Sequence, residues 1–365
     1  MDTLEKAKIL GEAGRYDSCG PKQCEVKVDN GLGGIYHAKA EHRTCRLFKT
    51  LMNNSCSFDC KYCPNASGSG NGGKKASYEP KELASLFWYL HKNLAVEGLF
   101  LSSAVAGEPD RVTEKMIEAV RLLRMEYNFH GYIHFKVLPG TSRELIRQAS
   151  ELSNRMSINV EAPNSDVLGE LSSCKDYKTD ILRRQSWISR LSLRSGQTTQ
   201  VIVNGLSTDR EILRMADWEY KAFGLKRMYY SAFRPVKGTP LENAAAESPL
   251  RQNRLYNADF LLREYGYKPK EIFSVMENGM LPRGDPKLEL AMRAFDRPID
   301  INQASYEELI RVPGIGPKTA RKITETRNIR GFEDLMRLGG HLERAKPFIE
   351  INGKRQAVVK DFWKV

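Results

Sequence analysis

The sequence predicts an α/β chain: a parallel sheet of six strand–helix units, with an N-terminal extension before it and a small all-α unit after it. Two observations carry most of this. From residue 47 to about 267, short β-branched or aromatic runs alternate with amphipathic helical stretches. The Gly/Pro-rich stretch from Glu277 to Pro298 then reads as a linker to a separate C-terminal unit. Strand–helix units in series imply parallel strands joined by right-handed crossovers. Periodicity alone does not separate an open doubly wound sheet from a curved, partial barrel.

The expected strands are Leu47–Asn53, Val96–Ser103, Tyr132–Leu138, Arg155–Ala162, Thr198–Asn204 and Arg227–Phe233. A helix from Pro80 puts Leu83, Leu86, Phe87 and Leu90 on one face, and Pro80 suits a first turn that needs no N–H donor. Further helices are expected over 111–128, 142–153, 178–194, 207–223 and 249–265. Residues 64–79, rich in Gly, Ser and Asn, bury too little apolar surface to order themselves and read as a mobile loop, the kind that often serves as a lid. The chain is thus divided into an extension (1–45), the strand–helix domain (46–276), a linker (277–297), a C-terminal domain (298–352) and a tail (353–365).

Composition narrows the function class. No run approaches the roughly 18 apolar residues of a membrane span, and the N-terminus Met1-Asp2-Thr3-Leu4-Glu5-Lys6 has no apolar h-region, so a cytoplasmic protein with no membrane partner is expected. A net charge of +12 points to an anionic partner, nucleic acid first. Seven cysteines, an odd number in a long chain of this kind, argue for metal binding or catalysis over a disulfide framework.

Three of the seven form Cys56-Ser-Phe-Asp-Cys60-Lys-Tyr-Cys63, a CxxxCxxC motif directly after the first expected strand. Three thiolates in one loop can each ligate one iron of a cubane and leave the fourth open, whereas a closed structural site usually takes four protein ligands. A zinc knuckle or an inert buried cluster is the alternative. On parallel barrels, catalytic loops follow the C-terminal ends of strands, as this one does.

Over residues 45–240 the motif, the aromatic Tyr62 before its third cysteine and the six strand–helix units resemble the radical S-adenosylmethionine (SAM) superfamily. The resemblance implies a partial (β/α)6 TIM-like barrel and a [4Fe–4S] cluster on Cys56, Cys60 and Cys63 that reductively cleaves SAM to a 5′-deoxyadenosyl radical. It also implies an electron donor such as a ferredoxin or flavodoxin. By the same resemblance, Gly107 and Glu108 in Ala106-Gly107-Glu108-Pro109 would contact the SAM amino group, although Ala106 replaces the first glycine of the family's Gly-Gly-Glu. Glu161 would take the ribose hydroxyls, and Val203 and Ser231, near the ends of the fifth and sixth strands, the adenine. Plain strand core is the alternative for each. Cys174, expected in the loop after the fourth strand, is a candidate hydrogen-atom donor or an ordinary thiol. Cys19, Cys24 and Cys45, near His37 and His42, are irregularly spaced and are either structural thiols or ligands of a second site.

In the C-terminal unit, Ser305 and Glu308 form a capping box that opens a short helix, and Pro313-Gly314-Ile315-Gly316-Pro317 turns into a second helix carrying Lys318, Thr319, Arg321 and Lys322. Glycines permit close backbone approach, and free N–H groups at a helix start favour phosphate. The stretch strongly resembles the helix-hairpin-helix motif of DNA-binding proteins, and a weaker copy follows through Gly331–Arg337, Leu338-Gly339-Gly340 and a helix to Lys346. Residues 297–365 hold 14 Lys and Arg against nine Asp and Glu. The whole chain resembles radical SAM proteins with a C-terminal helix-hairpin-helix that are described as DNA-modification or repair enzymes. That implies binding to duplex phosphates without base reading. An RNA-modifying enzyme and a nucleic-acid-binding protein with a structural cluster are the alternatives.

Overall fold

The computed structural model describes residues 1–16, 34–40, 43–70 and 73–353. Cys19, Cys24 and His42 lie outside the described residues. The chain divides into two compact units, residues 1–207 with 218–248, and residues 208–217 with 249–365.

The first unit is a curled, mixed seven-stranded half-barrel in which sequence order is spatial order. After helix α1 (Thr3–Ala13) come β1 (Ile35–Ala40) and β2 (Arg43–Leu51), which pair antiparallel. The remaining strands all run parallel to β2: β3 (Gly98–Ser102), β4 (Tyr132–Lys136), β5 (Arg155–Ser157), β6 (Gln197–Val203) and β7 (Arg227–Ala232). Helices α2 (Pro80–Lys92), α3 (Pro109–Met125) and α4 (Arg143–Leu152) fill the first three crossovers. Between β5 and β6 the chain makes α5 (Ser165–Leu171), one π-helical turn (Tyr177–Leu182) and α6 (Arg183–Ser189). Helix α7 (Asp209–Phe223) joins β6 to β7.

All six expected strands exist, though shorter at their C-terminal ends. β1 was not expected: it falls in the stretch assigned to an extension, and it covers the free edge of β2. The apolar face of α2 is as the spacing predicts, with Leu83, Leu86, Phe87 and Leu90 buried. β6 is buried along its whole length, as a strand covered on both faces must be. Side chains from one face of β1 through β7 line a single lumen, and the opposite face packs on the helices.

The second unit holds α8 (Pro249–Glu264), α9 (Pro269–Phe273), α10 (Pro286–Ala294), α11 (Tyr306–Arg311), α12 (Pro317–Thr326), α13 (Phe332–Arg337) and α14 (Leu342–Ala345). It is not purely α: β8 (Ile299–Asp300) pairs parallel with β9 (Ile349–Glu350), closing the hairpin region at its two ends. Two residues are too few to leave a period-2 signal in the sequence. The stretch expected as a linker carries α10, whose Ala291 is buried in the same core as Ile301, Leu309, Ile315 and Ile323.

Candidate active site

The loop after β2 is built by hydrogen bonds to three neighbouring loops on the C-terminal side of the parallel strands. Asn53 starts it: its Nδ2 donates to the Ala104 carbonyl (2.8 Å) and its Oδ1 accepts from Ser55 N (2.9 Å). Ser57 N donates to Val105 O (2.6 Å) and Ser57 Oγ accepts from Gly107 N (2.8 Å), which ties on the loop after β3. Lys61 N donates to Leu171 O (2.9 Å), at the end of α5, and Lys61 O accepts from Leu241 N (3.2 Å), beyond β7. Asp59, inside the motif, accepts from Ser172 Oγ (2.6 Å), Ser173 N (3.0 Å) and Cys174 N (3.2 Å). Slight burial works against its charge, but these donors hold the Asp59 carboxyl well below the usual carboxylate range. Cys56, Cys60 and Cys63 are therefore presented by a loop braced from three sides.

All three thiols are reduced, Cys60 buried and the other two half-buried. Burial pushes the Cys56 thiol up and the Cys63 thiol to about 12, each raised further by a neighbouring cysteine of the motif. Such thiols become ligands only when a metal or a nearby cation supplies the charge that burial withholds. Among the described residues, no three His, Cys, Asp or Glu converge on one point as the ligands of a single ion would. Cubane ligands need not, since each takes a different iron.

The cation is present, and sequence reasoning missed it. Lys175 is enclosed beside the motif, with Nζ 3.4 Å from Tyr62 Oη, 3.7 Å from Glu161 Oε1 and about 6 Å from the Phe58 and Tyr62 ring centres. Burial disfavours its charge, yet Cys60, Glu161 and Cys63 more than offset that and hold the ammonium above the ordinary lysine value. Tyr62 is pushed strongly upward by burial and then by Glu161 and the thiols, so it stays a neutral phenol. A buried lysine facing thiols and a carboxylate suits a three-thiolate cluster, whose net negative charge needs a counter-ion. The only sequence signal is its place one residue after Cys174.

Glu161 is buried with φ +63°, a left-handed conformation a glutamate rarely adopts. Its backbone is held there by two bonds to β6, Glu161 N to Gln200 O (3.0 Å) and Ile202 N to Glu161 O (2.8 Å). Local strain of about 1–3 kcal/mol persists only where the surroundings fix it, and here it turns the carboxylate toward Lys175. Gly107 also has positive φ (+76°), and it and Glu108 are exposed on the rim at the start of α3. Val203 is fully buried, paired with Ala232 on β7, while Ser231 is half-buried and pairs with Ile202. Cys174 is exposed, in the loop that Asp59 holds.

The segment expected as a mobile lid is tied down on both described sides. Gly70 N donates to Gly238 O (2.7 Å), Asn53 and Ser77 form an antiparallel bridge, Lys74 pairs with Glu5 (2.8 Å), and Lys75 Nζ donates to Asn54 O (3.2 Å). Cys45 lies half-buried on β2 opposite Ala38, its thiol raised by burial.

In the second unit the capping box forms as expected, with Ser305 Oγ accepting from Glu308 N (3.2 Å) and Glu308 Oε2 from Ser305 N (2.8 Å). The start of α12 has Gly316 as N-cap with no side-chain cap bond and Pro317 at N1, and Lys318, Arg321 and Lys322 are exposed around it. Ile315 and Thr319 are buried, so their side chains serve the core. Gly314 (φ +82°) needs glycine for an internal reason: a Cβ there would strike the His341 carbonyl, and Gly314 O accepts from His341 N (2.8 Å). The two hairpins thus pack on each other. Lys287, buried on α10, donates to the hairpin carbonyl of Ile315 (2.6 Å) and lies over the Tyr265 ring (4.4 Å); burial lowers its pKa to about 7.

Residues 50–218 match the Radical SAM superfamily model, and residues 295–340 match a helix-hairpin-helix motif. The chain therefore contains a stretch that matches the radical SAM superfamily, whose members use a [4Fe–4S] cluster and SAM. A second, distinct motif of nucleic-acid-binding character follows it in the same chain. No protein of curated function matches the sequence. Among solved structures the chain is similar to the FeFe-hydrogenase maturase HydG from Carboxydothermus hydrogenoformans (14% identity, TM-score 0.47, covering 59% of this chain and 51% of that one). It is also similar to anSMEcpe with bound AdoMet (13%, 0.45, 68% and 67%) and to coproporphyrinogen III oxidase HemN from Escherichia coli (16%, 0.41, 68% and 58%). The chain spans about half the length of the first of these.

Proposed function

We propose that this protein is a radical SAM enzyme that modifies or repairs a nucleotide of DNA. The observation that carries the reading is one chain holding both a braced three-thiol loop with its own buried cation and an uncapped helix start ringed by exposed Lys318, Arg321 and Lys322. Cys56, Cys60 and Cys63 would hold a [4Fe–4S] cluster, which when bound would supply the electron for reductive cleavage of SAM. The chain's own residues bind and orient. Glu161 accepts from ribose hydroxyls, Lys175 faces a carboxylate, and the Gly107–Glu108 rim and the Tyr62, Val203 and Ser231 surfaces meet the amino group and the base. The partial (β/α)6 barrel below would hold the reacting nucleotide, which must leave the duplex stack to be reached. Backbone N–H groups at the start of α12, with the cations beside them, hold duplex phosphates.

The test is anaerobic reconstitution with iron and sulfide, reduction, and measurement of 5′-deoxyadenosine with duplex DNA, RNA or neither present. Stimulation by DNA is expected. Stimulation by RNA alone would replace the substrate class, and no 5′-deoxyadenosine under any condition would end the reading.

A further inference from the structure

Lys287, on α10, differs from the exposed Lys318, Arg321 and Lys322 of the same unit, for it is only 8% exposed. Its Nζ donates to the Ile315 carbonyl (2.6 Å) and lies 4.4 Å from the Tyr265 ring centre, and it makes no ion pair among the described residues. A buried ammonium held by a carbonyl and a ring face lacks the counter-charge that water or a carboxylate would supply. Burial accordingly lowers its pKa to about 7. The groups around it do not compensate. Asp285, at the start of α10, accepts from the Lys287 backbone N–H (2.9 Å) and is paired with Arg344 of α14. Burial pushes the Tyr265 phenol up more than Arg344 pulls it down, and Glu264 and Tyr306 raise it further, so it stays neutral. Ile315 and Gly316 bring no charge, and His341, just before α14, is exposed and meets the turn through its backbone N–H.

The Ile315 carbonyl belongs to the peptide that leads into α12. That peptide is trans, so the C=O of Ile315 and the N–H of Gly316 lie on opposite sides of it. The ammonium therefore holds one end of the peptide, while the other end belongs to the uncapped start of α12. No described residue accepts from the Gly316 N–H. A cation on the carbonyl polarises the peptide and makes that N–H a stronger donor.

We propose that Lys287 is the positioning residue of the hairpin's phosphate site and makes that site responsive to pH: its charged form braces the Ile315 carbonyl and strengthens the N–H donor beyond it, so duplex binding takes up a proton and weakens as pH rises. The inference rests on the duplex-binding reading above, whose regulation it names. A phosphate close by favours the ammonium, so the bound state keeps the proton to higher pH than the free protein does. Below about pH 7 the free protein already carries the charge, and affinity is insensitive to this group. Above that, binding draws a proton from solution, and affinity falls until the bound form deprotonates as well.

Anisotropy titrations of the full chain with duplex DNA of mixed sequence, at constant ionic strength from about pH 6.5 to about pH 9, test it. Affinity should fall about tenfold, the factor for about one pKa unit between bound and free forms. Lys287→Met should bind at the low end of this range about as weakly as wild type does at the high end, and should lose the pH dependence. Lys287→Arg, always charged, should keep the tighter binding and lose the dependence too. A purely structural lysine would leave the slope intact in any variant that folds, and comparison with wild type cancels what His341 and other groups contribute in common. Where circular dichroism shows a variant unfolded, calorimetry of the wild type near pH 8, in two buffers of different ionisation enthalpy, counts the protons directly. About half a proton taken up per duplex is expected there, above the range in which an ordinary histidine titrates. Duplex affinity that is flat with pH, a wild-type slope in folded Lys287→Met, or no proton uptake overturns this inference and leaves the hairpin reading standing. No duplex binding at any pH would strike the hairpin reading, and this inference with it.

Discussion

The two units use cations in opposite ways. In the barrel unit, Lys175 and Lys49 are buried, each against named partners: thiols and a carboxylate for Lys175, two aromatic rings for Lys49. In the hairpin unit, Lys318, Arg321 and Lys322 stand exposed around a helix start. A buried charge acts at short range on one group in a fixed geometry, and salt barely screens it. An exposed charge acts on any anion within about a Debye length, ~8–10 Å, and weakens as salt rises. The first arrangement suits chemistry on one bound molecule and the second suits holding a polymer without reading it.

Replacing the thiols tests the buried side most severely. Cys56, Cys60 and Cys63 changed together to Ala should abolish both iron binding and SAM cleavage, measured as iron content and 5′-deoxyadenosine. An intact cluster in that variant would move the site elsewhere in the chain.

Glu219 shows what burial does to a carboxyl group that makes no ion pair among the described residues. It lies fully buried on α7, with one bond from Gln185 Nε2 (3.3 Å), and burial raises its carboxyl to about 8 from an ordinary value near 4.5. The folded protein therefore keeps a proton that the unfolded chain releases. This penalty grows, and stability falls, as pH rises from about 4.5 to about 8, then levels off. By pH 7 the loss is about 3 kcal/mol. Glu219→Gln should recover much of it and flatten the pH dependence of denaturant midpoints between 5 and 8; an unchanged slope would show that Glu219 is charged and solvated.

Removing the paired cation should cost function more selectively. Lys175→Met leaves Glu161 without its ion pair and should weaken SAM binding about tenfold or more while iron content stays close to wild type. Glu161→Ala should do the same through the ribose, and Glu108→Ala, on the exposed rim, should do so more mildly. Loss of iron in Lys175→Met would make the lysine part of cluster assembly instead.

The exposed side should respond gently and to salt. Lys318→Ala with Lys322→Ala should weaken all duplexes about equally and lower the salt slope of log K by roughly two units, about 0.9 per lost phosphate contact. Anisotropy titrations at several salt concentrations would show this, and a loss confined to one sequence would contradict a backbone-only contact.

Much of the molecule was legible because its signals are local. The CxxxCxxC loop, the Ser305–Glu308 capping box, the glycine turn at 314–316 and the apolar face of α2 each need only a few consecutive residues to declare themselves. β1 was hidden because an edge strand in a short segment lacks a distinctive period, and α10 because Gly and Pro around it suggest a linker. Gly314 was assigned to ligand approach, while its close neighbour is the backbone of the second hairpin.

The sequence by itself determined the chemistry available: which loop carries thiols, which turn carries glycines and cations, and the alternation that makes a parallel sheet. Only the tertiary structure decided which charges are buried together. Asp59 reaches Ser172, Ser173 and Cys174 across more than a hundred residues, Lys175 meets Tyr62 and Glu161, and Lys49, His134 and Arg155 share one layer. Each is an ordinary polar residue in its own segment. A charge becomes a functional group through loss of water and the partner opposite it, and both are properties of distant segments brought together.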